Sequence, residues 1–388
     1  MVSAGAAVGS GTSPRNHDPL PGFRTRMIPL LLAALPAPDH STFGRHVAAI
    51  GDVDGDGARD FVVAEPREGK LWAISTRGPR LLWARSAPGF ASNVRGGADL
   101  DGDGAEDLLV AATDARVFAL SSSDGRTLFE VAGPEGFGRA LAFAGDLDGD
   151  GTADFLAGSA KGARLLRGRD GTALCELAAE RTVLDAVPIA DRDADGITDL
   201  VTVFVDGGMA WYASCERTLH AIELDETRVV AVAGLGPDRF ALALTSGLRV
   251  LSTGDFETLA RLETWDEAEV VNEGDVQLAA GDLDGEGALE LFAGWDEHAV
   301  ARGRVVAYRP GTWKRTFHQD GRPDGWHFGI ALAIVGDLDE DGIADLVVGE
   351  DGECSRTPGA VNLLSGKDGR FLRTLTRADI DRMAPLRR

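Results

Sequence analysis

"GDVDGDGARDFVVAEP", residues 51–66, packs four aspartates, Asp52, Asp54, Asp56 and Asp60, into nine positions, breaks the run at Gly57 and continues as an apolar, strand-like segment. Like charges at this spacing repel, so one copy alone would read as an accident of an acidic surface. Five further copies follow. "ADLDGDGAEDLLVAAT" begins at Ala98, "GDLDGDGTADFLAGSA" at Gly145, "ADRDADGITDLVTVFV" at Ala190, "GDLDGEGALELFAGWD" at Gly281 and "GDLDEDGIADLVVGED" at Gly336. Their first aspartates are separated by 47, 47, 45, 91 and 55 residues.

The step of 91 is close to twice 45 and predicts a silent copy midway. "VVAVAGLGPDRFALALTSG", from Val229, supplies it: apolar runs stand before and after, the acidic loop is lost, and only Asp238 remains near its end. Seven units with a period near 45 residues mark a stacked or radial repeat fold. In the third unit four apolar runs follow one another, "ALAFAG", "FLAGS", "ARLLRG" and "TALCELA", each of strand length. Ser123-Asp124-Gly125, Arg169-Asp170-Gly171 and Lys367-Asp368-Gly369 fall between third and fourth runs, where Asp-Gly supplies the positive φ angles of a tight hairpin. The first run of each unit is rich in small residues ("VAAIG", "VAVAG", "QLAAG"), as an innermost strand requires where blades converge. The pattern predicts an all-β, seven-bladed β-propeller of four-stranded blades, with one blade lacking the acidic loop. A superhelical solenoid is also periodic, but usually with shorter β-repeats or helices.

Counted from the first aspartate, carboxylates occupy positions 1, 3, 5 and 9 of every acidic loop. They are Asp52, Asp54, Asp56 and Asp60; Asp99, Asp101, Asp103 and Asp107; Asp146, Asp148, Asp150 and Asp154; Asp191, Asp193, Asp195 and Asp199; Asp282, Asp284, Glu286 and Glu290; and Asp337, Asp339, Asp341 and Asp345. The glycine at position 6 permits a sharp turn, and the carbonyl at position 7 (Ala58, Ala105, Thr152, Ile197, Ala288, Ile343) offers one more oxygen. Hard oxygens in this number suit Ca2+, whereas Mg2+ prefers fewer protein ligands and strict octahedral geometry. An EF-hand would need a bidentate glutamate at position 12 between two helices. Here position 12 is Val63, Val110, Ala157, Thr202, Ala293 or Val348, within strand-like runs. Metal-free acidic turns are the plain alternative, but six loops with the same four positions acidic favour ions, up to six Ca2+, which would move the formal charge from −23 to −11. Lacking the position-12 glutamate, such loops suit millimolar rather than cytosolic calcium.

"FGRHVAAIGDVDGDGARDFVVAEP" and "FGIALAIVGDLDEDGIADLVVGED" resemble the FG-GAP repeat of integrin α-chain propellers and of related bacterial secreted proteins. Phe43-Gly44, Phe137-Gly138 and Phe328-Gly329 match the FG pair and Phe90-Ala91 matches it in part; units four to six lack it, and the final GAP survives only as Ala64 to Pro66. The resemblance covers roughly residues 43–376 and implies a seven-bladed propeller with calcium in the loops joining first and second strands. It does not imply an integrin.

The remaining composition narrows function. A formal charge of −23 argues against nucleic acid, which needs clustered Lys and Arg. Cys175, Cys215 and Cys354 have no zinc-like spacing, and Cys175 and Cys215, in adjacent units, could form one disulfide. No apolar run is long enough to span a membrane. Residues 1–41 read as a disordered leader with a signal peptide around the apolar run 27–37, and Met27 as an alternative start; a stray edge strand is the other reading of that run. The propeller is expected over 42–377 and a tail over 378–388, and the destination secreted, at the cell surface or periplasmic.

The seven histidines form no HExxH and there is no GxSxG, so no catalytic residues are assigned. The expected role is an extracellular binding or adhesion module for a protein or glycan; the rival is a polysaccharide lyase or hydrolase on the same scaffold, with structural calcium. Strand alternation puts acidic loops and Asp-Gly turns on one face and the remaining loops on the other. Long loops of units five to seven would there assemble Trp265, Trp295, His298, Trp326 and His327 into an aromatic, polar partner-binding patch, unless these tryptophans pack between blades.

Overall fold

Apolar runs pair with their sequence neighbours throughout. The computed structural model describes residues 41–177, 181–213, 217–222, 228–262, 276–296, 302–352 and 358–383, and in it the runs form seven antiparallel sheets of four consecutive strands each. Blade 1 comprises His46–Ala49, Phe61–Glu65, Lys70–Ile74 and Leu81–Ser86 in that order. Blade 2 runs from Phe90 to Ala132, blade 3 from Leu141 to Leu177, blade 4 from Val183 to Ile222, blade 5 from Val229 to Leu262, blade 6 from Val276 to Asp320 and blade 7 from Ala331 to Thr376. This is the seven-bladed propeller read from the period, with the silent copy as blade 5.

Place in the ring explains composition strand by strand. Second strands such as Phe61–Glu65, Asp107–Ala112 and Leu346–Glu350 are buried along their whole length, because neighbouring blades cover both faces; they read as unbroken apolar runs. Fourth strands are outer edges, and Thr127–Ala132 exposes Thr127 and Glu130 there, which blunts edge-to-edge pairing. First strands keep small residues because they line an axial cavity of about 830 Å³. Between blades lie separate apolar layers; in one, Phe43 meets Trp72 edge-on at 5.7 Å among Val63, Val347 and Leu363.

Among the described residues no strand is exchanged to close the ring: blades 1 and 7 are each made from consecutive strands. Their boundary is held by that apolar layer, by Arg45 on Asp351 at 2.8 Å, and by the Gly352 amide donating to the Ser41 carbonyl at 2.9 Å. Helix α1, Arg377–Arg382, begins at the last residue assigned to the propeller and runs into the stretch 378–388 read as a tail. Thr376 and Asp379 form its capping box and Ile380 is buried in the same layer. Arg377 pairs with buried Glu65 of blade 1 and stacks over Trp72, 4.4 Å from the ring centre.

The leader with its apolar run 27–37, and also Trp265 and His298, lie outside the described residues. Cys175 is disulfide-bonded, and Cys215 and Cys354 lie outside the described residues. Among the described residues no helix is long and apolar enough to cross a membrane.

Candidate metal centres and the opposite rim

Each acidic loop folds around its own first aspartate. In blade 1 Asp52 accepts the amides of Gly55 at 2.7 Å, Asp56 at 3.1 Å and Gly57 at 2.8 Å. Asp99, Asp146 and Asp282 likewise accept the amides at positions 4 and 6, and Asp191 and Asp337 that at position 6. The loop is therefore wound by carboxylate-to-amide bonds before any ion is considered, which is why an aspartate, with its short stem, opens every copy.

This winding brings positions 1, 3 and 9 together. Asp52, Asp54 and Asp60 place one carboxylate oxygen each within 4.8 Å of one another, and so do Asp99, Asp101 and Asp107; Asp146, Asp148 and Asp154; Asp191, Asp193 and Asp199; and Asp282, Asp284 and Glu290. Position 5 stands outside these triads. In the five loops with an aspartate there, its Oδ1 accepts the amide of position 7, as Asp56 does from Ala58 and Asp341 from Ile343, each at 3.0 Å.

Position 9 has a second duty that the sequence did not reveal. Asp60 is fully buried; one oxygen accepts the Val53 amide of its own loop and the other the Thr76 amide of the turn between third and fourth strands, both at 3.0 Å. Asp107, Asp154 and Asp345 repeat the pair of bonds. Burial, reinforced by the charges of Asp54 and Asp56, pushes the Asp60 carboxyl up to about 7 against those two amides. Asp107, Asp154 and Asp345 are pushed up to about 6 for the same reasons, and Asp199 and Glu290 move in the same direction. At position 3, burial also resists ionisation of Asp54, but hydrogen bonds from Ser75 and Arg80 outweigh it and lower its pKa.

Within the acidic loops, two carboxylate oxygens have no hydrogen-bond donor among the described residues. Oδ1 of fully buried Asp199 and Oδ1 of Asp339 are shielded from solvent and accept no hydrogen bond. A buried anionic oxygen without a donor is costly. Both belong to acidic loops, and with an all-oxygen donor set the residues fit a hard divalent cation. Positions 1, 3 and 9 would hold it, with position 5 and the position-7 carbonyl within the same loop.

On the opposite face the expected aromatic patch is only partly assembled among the described residues. Trp295 ends the second strand of blade 6 and packs, half-buried, against the apolar layer between blades 5 and 6. Trp326 and His327 stand side by side with ring centres 5.7 Å apart. His327 adopts φ 57°, a left-handed conformation rare outside glycine, and its Nδ1 lies 2.8 Å from Oδ1 of buried Asp351, which Arg45 also engages. The Trp326 indole N–H is buried and has no acceptor among the described residues.

Residues 99–157, from the loop of blade 2 into the second strand of blade 3, match the family described as an FG-GAP-like repeat. No curated protein matches the chain. Solved structures share its fold. BBS1N, crystallised in complex with ARL6DN and soaked with lead, is 12% identical with a TM-score of 0.58, covering 89% of this chain and 95% of that one. The WD40 β-propeller domain of Doa1 is 16% identical with a TM-score of 0.55, over 81% and 91% of the two chains. The computationally designed Ika8 protein is 14% identical with a TM-score of 0.52, over 87% of each.

Proposed function

We propose that this chain, an FG-GAP-like β-propeller, is a secreted, non-enzymatic binding module that takes up to six Ca2+ ions in its acidic loops and presents the opposite rim to an extracellular protein or glycan. The observation that carries the metal reading is the convergence of three carboxylates in each named triad, with the Asp199 oxygen buried and unpartnered beside two more acids. Calcium supplies the positive charge these loops lack and ties the first strand of a blade to its second. The rim reading is supported by Trp326 and strained His327, an aromatic and a titratable ring held in a costly conformation on the face away from the loops. BBS1N, which shares the fold, has been crystallised in complex with ARL6DN, which agrees with a binding role.

Calorimetric titration of Ca2+ into chelator-stripped protein, read with its thermal melt, tests the metal reading. Binding of several ions with a rise in melting temperature is expected, since calcium at 100-fold above Kd stabilises by about 2.7 kcal/mol per site. No heat and an unchanged melt would remove calcium from the account. Trp326→Ala probes the rim separately: it should abolish capture of the extracellular partner while leaving the calcium-dependent melt in place.

A further inference from the structure

The acidic loops of blades 7, 1 and 2 are not separate turns; they touch one another across the blade boundaries. The residue just before the first aspartate carries the contact. Gly51 accepts on its carbonyl the amide of Asp60, position 9 of its own loop, at 3.3 Å, and Gly336 accepts that of Asp345 at 3.4 Å. The other side of each glycine faces the next blade. A Cβ on Gly336 would lie 2.8 Å from the Cα and Cβ of Ala58, and one on Gly51 would lie 2.8 Å from the Cα and Cβ of Ala105. Ala58 and Ala105 are position 7 of the loops of blades 1 and 2, the residues whose carbonyls offer an extra ligand. Neither glycine is left-handed, so close approach, and not backbone conformation, excludes a side chain at both.

Polar bonds reinforce the two boundaries. Between blades 7 and 1, Arg77 donates to the Asp337 carbonyl from Nε at 3.4 Å and from Nη2 at 3.3 Å, and to the Asp56 carbonyl from Nη1 at 3.0 Å. One guanidinium thus ties position 1 of the blade 7 loop to position 5 of the blade 1 loop. Between blades 1 and 2, the Gly51 amide donates to the Glu106 carbonyl at 3.5 Å, and Arg59 pairs with the Glu106 carboxylate.

These contacts give a metal-induced movement a route. An ion that draws in the carboxylates of positions 1 and 9 pulls on the covalent neighbour and on the hydrogen-bond partner of the same glycine. Packed against position 7 of the next loop with no room for a methyl group, that glycine cannot move without moving its neighbour.

We propose that the loops of blades 7, 1 and 2 bind calcium as one coupled unit, each filled loop setting the position-7 carbonyl of the next, with Arg77 as the positioning residue at the 7–1 boundary. Metal uptake thereby fastens the last blade of the chain to the first. The inference rests on the calcium reading and adds cooperativity to it. Coupling is reciprocal, so the loops of blades 7 and 1 must raise each other's affinity by the same factor.

The test uses the full chain, stripped by chelator and titrated with CaCl2, with hydrogen exchange followed loop by loop. In the unmodified protein the three loops should gain protection together and more steeply than a single site allows. Asp337→Asn, which removes a candidate ligand from the blade 7 loop, should raise the calcium concentration that half-protects the blade 1 loop by about fivefold or more. Asp52→Asn should raise that of the blade 7 loop by the same factor. Asp191→Asn in blade 4, away from both boundaries, should leave the two loops where they were. Arg77→Ala should shrink the effect of Asp337→Asn on the blade 1 loop and spare the effect of Asp52→Asn on the blade 2 loop. Separate single-site transitions in the unmodified protein overturn the proposal without any variant. An effect of Asp337→Asn that survives Arg77→Ala at full size, or that Asp191→Asn matches, defeats it too. If calcium produced neither heat nor protection, the reading beneath would fall as well; independent filling of each loop would remove this inference alone.

Discussion

Loop position 4 must turn left-handed. Gly55, Gly102, Gly149 and Gly285 do so at φ 73–78°, while blades 4 and 7 force Ala194 and Glu340 into φ 60°. Ala194→Gly should therefore stabilise the protein by about 1 kcal/mol in denaturant titrations. The requirement is legible in the sequence as four glycines in six copies, less plainly than at position 6, where the glycine never varies. Position 9 was legible as an acid but not as a hub, since its amide partners lie 14 to 21 residues on, in a different turn. At the cavity wall, burial and the guanidiniums of Arg95 and Arg45 pull the His46 imidazole down to about 4 from an ordinary 6.5. The folded state thus holds His46 neutral where the unfolded chain would protonate it. Stability from this residue is complete above pH 6.5 and is lost as the pH falls toward 4. Melts at pH 7.5 and 4.5 should accordingly differ less for His46→Gln than for the unmodified protein.

The Asp-Gly hairpins do more than turn the chain. A Cβ on Gly125 would meet the Trp83 ring of blade 1 at 2.7 Å, one on Gly171 the Phe129 ring of blade 2 at 2.7 Å, and one on Gly369 the Phe317 ring of blade 6 at 2.5 Å. Each turn seats itself on an aromatic side chain of the preceding fourth strand, and the Trp83 indole fixes the first by donating to the Ser122 carbonyl at 2.6 Å. Gly125→Ala must then overcome both a φ of 72° and an aromatic wall, and should cost about 2 kcal/mol or more. Gly102→Ala, with φ 78° and nothing within 4 Å of the added carbon, should cost about half as much; paired denaturation curves would separate the two. Strand number, order and the loop-bearing face were readable because period and turn chemistry are local properties of the chain. Contacts between blades were not, because an aromatic residue in an outer strand looks the same whether it faces solvent or a neighbour's glycine. For the same reason Trp295 could not be sorted between rim and core until its packing against blade 5 was seen.

At the scale of the ring, closure depends on side chains and one short helix instead of a shared sheet. Removing residues 377–388 should cost about 3 kcal/mol, because Ile380 leaves its apolar layer and buried Glu65 loses the Arg377 guanidinium. Equilibrium denaturation of the truncated chain measures this, and a loss below about 1 kcal/mol would mean that blades 1 and 7 hold together unaided. Glu65→Gln in the truncated chain should recover part of the deficit by removing the stranded charge. Every sector being written by an uninterrupted stretch of chain has one further effect. The circle has no privileged origin: were the two ends of the propeller joined by a short linker and the polypeptide cut between blades 4 and 5, the permuted gene should still encode the same seven sheets.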